Sequence, residues 1–185
     1  ELTTVNFDIY VLTRDSKHFR YQYPELSEGL FFINGPIENE ETFKNLNVKF
    51  DYVFHLAGET IRGSSYLTEL AETAISGTNN VLNFIVSEST KCFFFASSGA
   101  VYSSFEEVRK KLKESDPCVF DSTYPDEIYA LSKRLSEKII EEKLAMTNCT
   151  YISLRIFALV GPSMYLDKHY AFGNFLMNAA KGEDI

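Results

Sequence analysis

Residues 93–103, FFFASSGAVYS, run from three phenylalanines straight into hydroxyls and glycine. Consecutive bulky aromatics after Cys92 read as a short strand buried on both faces, as parallel sheets require. The abrupt end at Ser97-Ser98-Gly99 has two readings. Serine and glycine form turns and stop strands. A hydroxyl at the carboxyl end of a parallel strand also stands where open α/β sheets bind their ligands.

Working outward, other short apolar runs share this character: FDIYVLT (7–13), LFFI (30–33), YVFHLA (52–57) and TYISLRIF (150–157). Between them lie segments at helical spacing. Residues 65–89 place Leu67, Leu70, Ala71, Ala74, Val81, Leu82 and Ile85 at that spacing, and residues 126–147 do so with Ile128, Leu131, Leu135, Ile139 and Leu144. A third helix is expected over 172–182, ending on Gly182 as its C-cap. Alternating strands and helices predict an α/β doubly wound parallel sheet with right-handed crossovers. In such a fold the site follows the strand ends, here after Thr13, Ala57, Ser98 and Phe157.

Composition narrows the function. The 185 residues suffice for one substantial core, and 45% apolar with 24% charged residues is the balance of a soluble globular protein. A net charge of −8 argues against nucleic acid as a partner, because phosphate binding needs clustered Lys and Arg. The one basic cluster, VRKKLK (108–113), is flanked by Glu106, Glu107, Glu114 and Asp116 and reads as a solvated helix face. No apolar run reaches the roughly 18 residues of a membrane span, and the N-terminus lacks a signal-peptide pattern. Cys92, Cys118 and Cys149 have no metal-ligand spacing, and Cys92 reads as a buried reduced thiol. These features together predict a cytoplasmic protein.

Tyr129 and Lys133 stand four apart in the helix expected over 126–147, and so share a face. An ammonium beside a phenol favours the phenolate and brings a pKa of about 10 toward neutrality. The result is an acid/base able to exchange a proton with a sugar hydroxyl or a ketone. With eleven Tyr and twelve Lys in 185 residues, chance supplies roughly 0.7 such pairs, so a partly buried Tyr beside a solvated Lys is the plain alternative. Ser98, 31 residues upstream at a strand end, can hydrogen-bond the same substrate oxygen.

Five ordered segments resemble the extended short-chain dehydrogenases/reductases, in particular their NAD(P)-dependent nucleotide-sugar epimerase/dehydratase group. They are DYVFHLAGET (51–60), SGTNNVLNFI (76–85), FFFASSGAVYS, YALSKRLSEKI (129–139) and LRIFALVGP (154–162). The resemblance implies a Rossmann-type core over 1–165, incomplete at its N-terminus, and the start of a substrate-binding region over 166–185. By position it implies Ser98, Tyr129 and Lys133 as the catalytic set, with Lys133 also on the nicotinamide ribose. Leu56, Ala57 and Gly58 pass the cofactor, and Phe157 lies near its nicotinamide. Ser97 contributes backbone contacts only. Ala158, His169 and Asn174 stand in the substrate region, Ala158 where many members carry Asn. The substrate implied is a nucleotide-sugar, acted on by a 4-epimerase or 4-ketoreductase, and the two helices flanking the site pair into a homodimer in many members.

Departures qualify these expectations. The family's first strand and its Gly-x-x-Gly-x-x-Gly turn have no counterpart here, nor does most of its substrate domain. A non-catalytic nucleotide-binding relative, or a fragment inactive by itself, is therefore the alternative. Pro36 falls where an Asp often holds the adenine. Arg14 after the first strand weighs toward NADP over NAD, because Arg accommodates a 2′-phosphate, while Asp15 follows directly. Gly99 and Ala100 replace the Asp-Glu that 4,6-dehydratases carry after their catalytic hydroxyl residue, which disfavours dehydration.

Overall fold

In a computed structural model, residues 7–58, 67–86, 90–102, 111–116, 127–161 and 171–184 are described. The chain forms two compact units, Glu1–Arg155 and Ile156–Ile185.

The first unit begins with a parallel pair. Strand β1 (Ile9–Thr13) runs beside β2 (Leu30–Asn34) in the register Ile9↔Leu30 through Thr13↔Asn34. Their β-branched and aromatic side chains suit a pleated surface, and Tyr10 stacks on Phe31 with ring centres 4.8 Å apart. Helix α1 (Ser16–Gln22) joins them; Asp15 caps its start by accepting from the Lys17 and His18 amides, each at 2.9 Å. Its Phe19 and Arg20 lie over Phe32. Beyond β2, Gly35 takes φ +153°, and an added Cβ would meet Thr42 Oγ1 at 2.5 Å. The one-turn helix α2 (Glu41–Lys44) follows.

A second sheet has the order β3 (Tyr52–His55), β4 (Cys92–Ser98), β5 (Thr150–Ile156). Strands β3 and β4 are parallel, with Tyr52↔Cys92 and His55↔Phe95 in register. Strand β4 alternates along its length: Phe93, Phe95 and Ser97 are buried, and the residues between them are partly exposed. Phe93 and Phe95 pack with Leu82 and Ile85 of α4 (Thr78–Val86) and with Ile140 and Leu144 of α5 (Glu127–Leu144). That cluster is the core. It is the face on which the helices lie.

The segment expected as one helix over 65–89 is interrupted. Helix α3 (Leu67–Glu72) passes into a π-helical turn, Thr73–Gly77, before α4 begins. Such turns arise where the backbone ladder is locally widened. Here the Ala74 carbonyl accepts from the Thr78 hydroxyl, and also from Ser136 on α5 at 2.9 Å. Gly77 sits against Ile37, where an added Cβ would come within 2.8 Å of Cγ2.

Three further expectations change. The strands are not buried on both faces: Tyr52 and Phe54 of β3 are about half exposed at 49% and 55%. Of the basic cluster 108–113, expected on a helix face, Lys111–Lys113 are irregular and 108–110 lie outside the described residues. Cys92 is half-buried rather than buried, and Cys118 lies outside the described residues. Among the described residues no helix is long and apolar enough to cross a membrane.

In the second unit, α6 (Ala171–Lys181) ends as expected on Gly182, at φ +72°, and the Glu183 amide returns to the Asn178 carbonyl at 2.9 Å.

Candidate active site

Tyr129 and Lys133 occupy successive turns of α5, and Lys133 lies on the face that meets β4. Lys133 is only 4% exposed. Its ammonium donates to the Ala96 carbonyl at 2.8 Å and lies 4.9 Å from the centre of the Phe95 ring and 6.0 Å from that of Tyr129. Burial, with no carboxylate partner among the described residues, pulls its pKa from 10.5 down to about 8. A lysine whose charged form is held at a cost, beneath a strand end, makes this a candidate functional site.

Gly58, three residues past the end of β3, passes directly over this ammonium; a Cβ there would stand 3.0 Å from Nζ. Glycine thus leaves room for a close approach to Lys133. Ala57 packs against the core, and Leu56 is 66% exposed. Ser98 closes β4 half-buried, and its Oγ accepts the Ala100 amide at 3.1 Å. That bond opens the 3-10 turn Gly99–Tyr102. Accepting through a lone pair, the Ser98 hydroxyl keeps its proton as a donor.

His55, at the end of β3, is buried, and its Nε2 lies 2.8 Å from Thr78 Oγ1. Because Thr78 donates to Ala74, the network assigns the imidazole proton to Nε2. Burial, reinforced by the Lys133 charge, lowers the His55 pKa to about 3 and keeps the ring neutral. A second positive charge is thereby kept from the ammonium.

Gly58 and Tyr129 thus both lie near the Lys133 ammonium, and Ser98 ends β4 two residues beyond Ala96, whose carbonyl that ammonium bonds. Arg14 follows β1 in the other sheet and is exposed. Phe157 and Ala158 are exposed at the start of the second unit, and Asn174 is exposed on α6. His169 lies outside the described residues. Sequence reasoning missed Glu137, Arg155 and Tyr102, which form a polar cluster with Ser97 in which Arg155 is partly exposed and the others are buried. Arg155, a charge inside an apolar strand, was the available signal. Ser97 was expected to offer backbone contacts only, yet its hydroxyl donates to Glu137 at 2.6 Å. The alternation of β4 turns residue 97 toward α5, so its side chain cannot be idle.

A model of the NAD dependent epimerase/dehydratase family matches residues 1–185. The chain belongs to that family. Among solved structures, this epimerase/dehydratase chain is similar to UDP-glucose 4-epimerase from Bifidobacterium longum, in complex with NAD+ and UDP: 22% identity, TM-score 0.65, covering 83% of this chain and 47% of that one. It is similar to the UDP-Glc/GlcNAc 4-epimerase of Campylobacter jejuni at 21% identity and TM-score 0.73, covering 99% and 57%. A dTDP-glucose 4,6-dehydratase double mutant from Streptomyces venezuelae, with NAD bound, matches at 21% identity and TM-score 0.70, covering 95% and 53%. The chain therefore spans about half the length of these structures. No curated protein matches it.

Proposed function

We propose that this chain carries the catalytic region of an NAD(P)-dependent 4-epimerase or 4-ketoreductase acting on a nucleotide-sugar. The observation that carries the reading is the Lys133 ammonium, buried beneath the end of β4 one helical turn from Tyr129. In the oxidative direction Tyr129 accepts the proton of a sugar C4 hydroxyl, and in the reductive direction it returns one to the C4 oxygen. Lys133 offers positive charge to the phenolate form, and Ser98 donates to the same oxygen. Neutral His55 leaves Lys133 as the one cation of this arrangement among the described residues. When bound, the nicotinamide supplies the hydride chemistry. The residues present fit that cofactor: Gly58 leaves backbone open over Lys133, where a ribose hydroxyl can reach the ammonium. Gly99 and Ala100, next to Ser98, bear no proton-transfer group, which favours epimerisation or keto reduction over dehydration.

The preference is for NADP. The Asp15 carboxylate, which follows Arg14, is engaged by the amides of α1 rather than offered to a ribose diol. A homodimer is the accompanying assembly, and Leu131 and Leu135 of α5, one turn apart and 43% and 46% exposed, offer one of the surfaces open to it. The test is Tyr129→Phe in the full-length protein. It is expected to keep NADPH binding by fluorescence titration, tighter than NADH, and to lose turnover of UDP- or dTDP-hexoses by about 10²-fold or more. Turnover near that of the unaltered protein would overturn the assignment.

A further inference from the structure

Glu137 lies one turn beyond Lys133 on α5 and is 5% exposed. Its carboxylate accepts from Ser97 Oγ at 2.6 Å, from Arg134 Nη1 at 2.5 Å, and from Arg155 through Nε at 3.0 Å and Nη2 at 2.9 Å. Arg155, on β5, also directs Nη1 to the Tyr102 hydroxyl at 2.7 Å and to the Glu114 carbonyl at 3.0 Å. Its guanidinium lies 4.8 Å from the centre of the Tyr102 ring. Burial pushes the Glu137 pKa up, but the hydrogen bonds from Arg155, Ser97 and Arg134 outweigh it and hold the carboxyl below its usual range. The pair is ionic at neutral pH.

Two geometric facts give the cluster a purpose. First, α5 grips β4 at consecutive residues from consecutive turns: Lys133 on Ala96, then Glu137 on Ser97. Second, Ser98 is bracketed by the same ion pair. Ser97 before it is bonded to Glu137, and the Gly99–Tyr102 turn after it ends on the residue bonded to Arg155. The Glu114 contact also holds the described stretch 111–116 to Arg155. A buried ion pair is weak evidence for added stability, since packed apolar groups serve as well; fixing a register is its best-attested use. Arginine suits the task because its planar fork reaches two carboxylate oxygens and a third acceptor at once.

We propose that Glu137 and Arg155 are positioning residues that hold Ser98 in register with Tyr129 and Lys133. The inference rests on the catalytic reading above, and its test separates the two. Ser97→Ala removes the link from Glu137 to the strand end. Arg155→Lys keeps the charge but loses the fork. Lys138→Ala, in the exposed pair with Glu141, is the control. Each variant of the full-length protein is assayed for kcat and KM with a UDP-hexose. The ¹³Cε signal of Lys133, assigned by its loss in Lys133→Met, is titrated with pH, and thermal melting is recorded.

Ser97→Ala and Arg155→Lys are expected to lower kcat about tenfold or more with KM within about threefold, because small misplacements of reacting groups cost up to about 10²-fold. They are also expected to move the Lys133 midpoint upward from about 8, as α5 loosens from Ala96. The double variant should be no worse than the poorer single, since both act through one network. Melting temperatures that fall while kcat and the Lys133 midpoint stay fixed would overturn the proposal. Absence of turnover in the unaltered protein would sink the catalytic reading instead, and the Lys133 titration would then decide the positioning role alone.

Discussion

Lys133 shows how a single residue sets function against stability. Its pKa falls from 10.5 in the unfolded chain to about 8 in the fold, which corresponds to roughly 3 kcal/mol against the charged form. Between these values the unfolded chain binds more protons than the folded one, so this contribution to stability rises with pH from about 8 to 10.5. Below 8 the full cost is present. Lys133→Met removes that cost and also the hydrogen bond to Ala96, whose loss returns about 1 kcal/mol. The variant should therefore be about 2 kcal/mol more stable than the unaltered chain at pH 7, by urea denaturation, and should lose that gain by pH 10.5. A less stable variant at pH 7 would mean that the ammonium is compensated in the fold. Keeping a residue whose removal stabilises is the pattern of stability given up for activity.

At the scale of elements, the π turn between α3 and α4 fixes how the helices meet the chain leaving β2. Gly77→Ala should cost about 1–3 kcal/mol through overpacking against Ile37. In Gly77→Ala/Ile37→Ala the collision is gone, so the double variant should be more stable than the sum of the singles predicts, by about 1 kcal/mol. Strict additivity in chemical denaturation would remove Ile37 as the neighbour that matters. The sequence carried the strands and the long helices because their apolar runs are long enough to show a period. Helix α1, at seven residues, and α2, at four, are too short to show one. The π turn left no signal but its glycine. Ser98, Tyr129 and Lys133 were legible as a spaced set, whereas Glu137 and Arg155 meet only when β5 reaches α5, and no local pattern encodes that meeting. Ser97 was legible in principle, since the alternation Phe93, Phe95, Ser97 places its hydroxyl on the helix face.

Across the whole molecule the strands form two separate sheets, one of two strands and one of three. Strand β3 is an edge of the larger sheet, and among the described residues its outer side pairs with no strand. The same sheet leaves apolar side chains in water: Phe54, stacked on Phe94 with ring centres 4.6 Å apart, together with Tyr52, Ile152 and Leu154. Soluble monomers rarely show a contiguous apolar face, and unprotected edges recruit other chains. Opposing this, a net charge of −8 makes copies repel, and salt screens that repulsion. The 185-residue chain should therefore self-associate at about 10–100 µM in sedimentation velocity, in the concentration range where exposed strands aggregate. Association should strengthen as sodium chloride rises from about 0.05 to 0.5 M, because the Debye length falls from about 14 to 4 Å. Phe54→Lys deletes the stacked ring and puts a solvated ammonium on the edge strand, which outweighs the small fall in net repulsion, so it should weaken association most clearly at high salt. Leu131→Lys/Leu135→Lys on α5 separates this from helix pairing. If those helix changes abolish association and Phe54→Lys leaves it intact, the exposed sheet is not the sticky surface and α5 is.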